Sequence, residues 1–221
     1  MPPKKKSSLT PQIPTIRLVG LEDGDAGLLD AHENVDGLRF VGADVSGQDL
    51  SGLTVSECAF EDLDAHDVLL RGAGFVETTI ERLNAPIIAA PRSRFREVSI
   101  DQSRIGSAEF YESNWRSVHI TGSKLGFVNL RGAVLQDVQF TNCSIDELDL
   151  GGATVNRLAF VDCTLNSLDV TRATLQNVDL RTLDLRRISG LEGLKGATMS
   201  SMQVSELASL FAQHLGIVVD G

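Results

Sequence analysis

Ser113-Asn114-Trp115-Arg116-Ser117-Val118-His119-Ile120-Thr121-Gly122-Ser123-Lys124-Leu125-Gly126-Phe127-Val128-Asn129-Leu130-Arg131-Gly132 places a large apolar side chain at every fifth position: Trp115, Ile120, Leu125 and Leu130. The residue two before each of these alternates between small and large, as Ser113, Val118, Ser123 and Val128. A spacing of five suits neither the 3.6-residue period of a helix nor the two-residue period of a flat strand. Self-similarity at a fixed interval instead marks stacked units, each of which buries its apolar side only against its neighbours.

Outward from this stretch the pattern runs from Phe40 to Leu185. The small set continues through Ala133, Cys143, Ala153, Cys163 and Ala173, and the large set through Val138, Leu148, Leu158, Leu168 and Val178. The alternation repeats every ten residues, so a 15-residue turn would stack small on large at each step, whereas a 20-residue turn keeps every column uniform. Four pentapeptides per turn is the arrangement that stacks. The aromatic residues fall in the same columns: Phe40 with Phe60, Phe75 with Phe95 and Trp115, Phe140 with Phe160. Ring-on-ring contact would add about 0.5–1.5 kcal/mol per pair beyond burial.

Units such as Ala43-Asp44-Val45-Ser46-Gly47 and Gln48-Asp49-Leu50-Ser51-Gly52, with looser copies such as Val128-Asn129-Leu130-Arg131-Gly132 and Leu148-Asp149-Leu150-Gly151-Gly152, resemble the pentapeptide-repeat family. The resemblance implies an all-β fold, a right-handed parallel quadrilateral β-helix with 20 residues per coil. Residues 36–187 would supply about seven to eight coils, a rod of roughly 36 Å at ~4.8 Å per coil. The repeat weakens where Ala85 and Ala90 replace large centres and Pro86 and Pro91 follow them. Proline donates no ladder hydrogen bond, so both are expected at outward corners or a bulge. The frame returns at Phe95 without a shift, which predicts a pinch or bend rather than a loop.

The ends read differently. Residues 1–14 hold Lys4, Lys5, Lys6 and four prolines, the composition of a disordered basic tail. Residues 15–35 read as a cap, with a strand at Ile16–Val19 and a loop from Glu22 to Asp25. Residues 188–221 read as a C-terminal cap whose helix spans about 201–215. Ser200 with Gln203 forms a capping box, and Gly216 stops the helix. Val204, Leu207, Ala208, Leu210, Phe211 and Leu215 form a broad apolar face. Covering the last coil is its minimal role, and homodimer formation, as in several family members, is a second.

Chemistry is sparse. The sequence has no phosphate loop, no Cys or His metal spacing and no nucleophile with a base, so neither an enzyme nor a cofactor is expected. His66 and His119 flank repeat centres and should face solvent. Cys58, Cys143 and Cys163 occupy small inward positions, as apolar fillers in a reducing compartment; Cys143 and Cys163, one turn apart, leave a disulfide geometrically open. No apolar run approaches 20 residues and no signal sequence follows the basic start, so a cytoplasmic protein without a membrane partner is expected.

The formal charge of −10 disfavours direct contact with nucleic acid. Twenty-residue turns stack Glu57, Glu77 and Glu97 in one outward column, with Asp137 further along it, and Glu61, Glu81 and Asp101 in another. Both columns flank the face centred on Phe60, Ile80 and Ile100. Like charges on neighbouring strands are destabilising, so either the alignment is incidental to a soluble acidic surface or it serves binding. Members of the family that protect DNA gyrase from fluoroquinolones are acidic, rod-shaped dimers thought to occupy the enzyme's DNA-binding saddle. The resemblance therefore implies a DNA mimic for a type II topoisomerase, with a structural or scaffold protein for some other protein partner as the alternative.

Overall fold

The computed structural model describes residues 9–219. Parallel strands stack into a solenoid of about nine turns. Between the two end strands the register is 20 residues: Phe75 pairs with Phe95, Phe95 with Trp115, Trp115 with Leu135 and Leu135 with Val155. Long strands, Gly74–Glu81, Arg94–Asp101, Asn114–Thr121, Val134–Thr141 and Thr154–Val161, span two sides of each turn. Shorter ones, Asn84–Ala89, Arg104–Glu109, Lys124–Asn129, Ser144–Asp149 and Thr164–Asp169, cover the others. Within each long strand one corner residue, such as Glu77, Glu97, Ser117, Asp137 or Arg157, takes a positive φ that turns the chain through the corner.

Both inward sets are buried as the spacing requires: Trp115, Leu125, Leu130 and Leu135 at the centres, and Ala133, Cys143, Val138 and Leu148 two before. The turn count exceeds the seven to eight expected because the irregular ends close turns too. Glu22–Asp23 pairs with Leu38–Arg39, and Ala197–Thr198 pairs with Val178–Asp179. Those segments lack the five-residue spacing, so their coils are invisible to a count of repeats.

Three of the expected ring contacts form face to face: Phe40 on Phe60 at 4.9 Å, Phe75 on Phe95 at 5.2 Å and Phe140 on Phe160 at 5.2 Å. Trp115 departs from the ladder, meeting Phe95 edge-on at 65°. Phe110 causes the tilt, because it stands one turn above Ala90 and packs its edge on both Phe95 and Trp115. Near the weak repeats the core is less full, with an apolar void of about 50 Å³ lined by Leu50, Ala65, Leu70, Ile88 and Phe110 among others. Pro86 sits where the ladder between Asn84–Ala89 and Arg104–Glu109 steps over one residue, so its missing N–H removes no rung. Pro91 lies in the turn after Ala90.

The ends differ from expectation. Ile16–Val19 is not a strand; the short N-terminal strand is Glu22–Asp23. After it, Asp25 caps a 3-10 turn, Ala26–Leu28, and Leu29 is buried on the first coil. A Cβ at Gly24 would lie 2.7 Å from the Phe40 ring, so any larger residue there would have to displace that ring. Of the tail expected to be disordered, residues 1–8 lie outside the described residues, but residues 9–14 lie on the coil, with Pro11 buried. The C-terminal helix is divided at Leu207 into Ser201–Glu206 and Ala208–His214. Gln203 closes the capping box with Ser200 and also donates from Nε2 to the carbonyls of Leu180 and Leu183, tying the helix to the last coil.

Candidate partner-binding face

The face centred on Phe60, Ile80 and Ile100 presents its alternate residues outward, so three columns run along the rod. Glu57, Glu77 and Glu97 hold the left-handed corner at φ 50°, 48° and 56°. Glu61, Glu81 and Asp101 stand in direct register, each paired with the next. Between them runs a column of short or uncharged side chains, Thr79, Ser99, His119 and Gln139, on adjacent rungs. The result is a trough with carboxylates on both sides. Glu57 is exposed, and the other five are half-buried.

Arginines compensate part of this charge. Arg82 reaches Asp62 through Nε at 2.6 Å and Glu81 through Nη1 at 2.6 Å, and approaches Glu61 at 3.9 Å. Its hydrogen bond to Asp62 holds that carboxyl below the usual carboxylate range. Arg96 comes within 3.8 Å of Glu77. No ion pair involving Glu57, Glu97 or Asp101 is found among the described residues.

Asp137 does not join the acidic face, although it occupies the Glu57–Glu97 column. It is only 4% exposed. Arg157, on the next rung of that column, grips it with two hydrogen bonds, Nε to Oδ1 and Nη2 to Oδ2. The Gln12 N–H donates to Oδ1 at 2.8 Å. Burial pushes the Asp137 carboxyl up, but the Arg157 hydrogen bond, the Gln12 N–H and the Arg157 charge together bring it below the usual range. It is a structural anion, and sequence spacing alone could not separate it from its exposed column mates. Arg157, one turn on, was the available signal.

The N-terminal segment lies in the trough. The Gln12 carbonyl accepts from Ser117 Oγ at 3.2 Å, and Pro11, Ile13, Pro14, Thr15 and Ile16 face Thr79, Val98, Ser99, His119 and Gln139 across a cleft of about 410 Å³. His119, expected in solvent, is therefore half-buried; its Nε2 lies 2.9 Å from Thr141 Oγ1 and 3.2 Å from Thr121 Oγ1. Burial lowers its pKa, with Asp101 opposing the shift.

The candidate dimer face divides. Leu207 is buried, whereas Val204, Leu210 and Leu215 are exposed, along with Met202, Ile217, Val218 and Val219; Ala208 is exposed and Phe211 half-buried. Cys58, Cys143 and Cys163 are buried free thiols, and the Cys143 N–H donates to Cys163 Sγ at 3.3 Å. Among the described residues no group of three His, Cys, Asp or Glu side chains could hold a metal ion, and no helix is long and apolar enough to cross a membrane.

Residues 119–157 match the family model described as pentapeptide repeats, in eight copies. That match spans about two coils, and the same spacing continues on both sides of it. The matched residues carry pentapeptide repeats, and the chain is similar to that family. No curated protein matches it. Among solved structures it is similar to full-length QnrB1, a plasmid-mediated fluoroquinolone resistance protein, at 18% identity over 89% of this chain and 95% of that one, with a TM-score of 0.37. It is also similar to HetL, a pentapeptide repeat protein involved in heterocyst differentiation regulation from the cyanobacterium Nostoc sp., at 18% identity over 80% of this chain and 93% of that one, with a TM-score of 0.35. Likenesses at this level carry no weight on function.

Proposed function

We propose that this protein is a non-enzymatic, cytoplasmic binding protein that presents its acidic coil face to a protein partner, as a mimic of duplex DNA on a type II topoisomerase, DNA gyrase. The observation that carries this reading is the stacked register of Glu57, Glu77 and Glu97 beside Glu61, Glu81 and Asp101. Folding alone would not select it, because like charges on adjacent rungs repel. Two columns at ~4.8 Å per rung give about one carboxylate per 2.4 Å of rod, against about one phosphate per 1.7 Å of duplex axis. A surface built to neutralise phosphates would meet a comparable charge track here.

The test is a gyrase supercoiling assay at micromolar protein, with and without a fluoroquinolone. Inhibition or drug protection is expected, weakened when the six carboxylates are changed to Gln or Asn. No effect under either condition overturns the reading.

The exposed apolar residues of the C-terminal segment, Met202, Val204, Leu210 and Leu215, support a homodimer. Light scattering behind size exclusion should give twice the chain mass, and Leu210→Glu with Leu215→Glu should return it to one. A second reading has its own observation: Arg82 ties Asp62 and Glu81 together, as a surface tuned only for solubility and folding would. On that reading the protein is a scaffold for some other protein partner.

A further inference from the structure

The trough between the acidic columns already holds a polypeptide. Residues 1–21 contain Lys4, Lys5, Lys6 and Arg17 and no acidic residue, whereas residues 22–221 carry the remaining 16 basic and all 30 acidic side chains. The lysine cluster thus leads into the segment that lies along this acidic face. Charge complementarity of this kind is what an external cationic surface would offer the same trough.

The attachment is concentrated at two points. At one end Gln12 is held by Asp137 and Ser117, with Pro11 buried beside it. At the other, Glu22–Asp23 pairs with Leu38–Arg39. Among the described residues no backbone hydrogen bond joins residues 13–21 to the coil, and Val19 is 88% exposed. The coil's own rungs pair residue by residue, seven positions between Arg94–Asp101 and Asn114–Thr121 alone. Segments with few buried contacts and an unpaired backbone open at far lower free energy than such rungs. Departure also leaves no buried charge stranded, since Asp137 keeps both hydrogen bonds from Arg157.

We propose that residues 9–21 form a detachable strap that covers the acidic trough in cis and competes with any basic polypeptide surface for it. The strap holds the face closed until a partner of higher positive charge displaces it. The identity of that partner rests on the function proposed above; the competition itself does not.

Hydrogen exchange read by mass spectrometry on the full chain, with and without a nona-arginine peptide, tests both parts. The amides of residues 15–21 should exchange orders of magnitude faster than those of Asn114–Thr121. Added peptide should speed exchange at Gln12 while leaving the coil unchanged. The variant Pro11→Gly with Ser117→Ala should bind the peptide about three- to tenfold more tightly, the factor that one lost hydrogen bond is worth. Ser117→Ala alone gives a smaller shift in the same direction, should the double variant fold poorly. Equal peptide affinities in wild type and variants, no peptide binding at all, or a Gln12 amide as protected as the coil and unmoved by peptide would each overturn the strap. If the peptide displaces the strap but gyrase is unaffected, the gyrase reading falls and the strap stands. If gyrase is inhibited equally by wild type and variants, the strap falls instead.

Discussion

One column of this rod is used in two opposite ways. Towards the N-terminal end Glu57, Glu77 and Glu97 stack carboxylate over carboxylate; two turns further on the same column reads Asp137 and then Arg157, a buried pair under the strap. The backbone is the same at every rung, with a left-handed corner and a 20-residue register. What differs is whether the side chains stacked in the column carry opposite charges or the same charge. A similar contrast runs through the core, which is closed around Leu130, Leu148 and Leu150 but holds a void around Ala65. Further along the rod the column pairs opposite charges and the core is filled; towards the N-terminal end it stacks like charges and the core holds a void.

The largest effect that would sharpen this contrast is Leu148→Ala, which removes a fully buried side chain from the filled part of the core. It should cost about 2–5 kcal/mol in chemical denaturation. Asp137→Ala should follow at about 3 kcal/mol, because Arg157 is left largely buried without its partner. Glu97→Ala, at the equivalent corner, should stay within about 0.5 kcal/mol. If the two corner variants cost the same, the distinction between the halves of the column is broken.

The Asp137 pair also predicts a pH dependence. Its folded pKa lies below the unfolded value, so its stabilisation is complete above about pH 4, the ordinary aspartate range, and is lost as the pH falls through the lowered folded value. Denaturation midpoints followed from pH 6 downwards should fall more steeply in wild type than in Asp137→Asn.

Smaller effects probe the N-terminal part of the rod. Ala65→Val places two methyl groups in the apolar void and should stabilise by about 1 kcal/mol, as expected for a cavity of that size. Glu77→Arg would set opposite charges beside Glu57 and Glu97 and imitate the Asp137–Arg157 rung. A gain of about 0.5 kcal/mol that fades with added salt is expected. A loss would mean that the carboxylate column is already balanced by Arg96.

The coil is legible in the sequence because its information is local and repeated. Trp115, Ile120, Leu125 and Leu130 state their own burial by spacing, and the Ser113–Val118 alternation sets the turn length. The columns follow by arithmetic, so residue numbers alone align Glu61, Glu81 and Asp101. Contacts made once are not legible. Nothing around Gln12 announces that its backbone will meet residues 105 and 125 positions away. Nothing around His119 says that a strap will cover it. The buried Gln203 and the tilt of Trp115 by Phe110 belong to the same class.

The sequence by itself determined the period, the inward ladder and the register of every outward column, since a repeat imposes the same packing requirement at each turn. Only the tertiary structure decided which of those columns meet solvent. The N-terminal segment has no periodicity that would fix its place; its prolines and isoleucines lie over the uncharged side chains of Thr79, Ser99, His119 and Gln139, and its backbone finds Ser117 and Asp137.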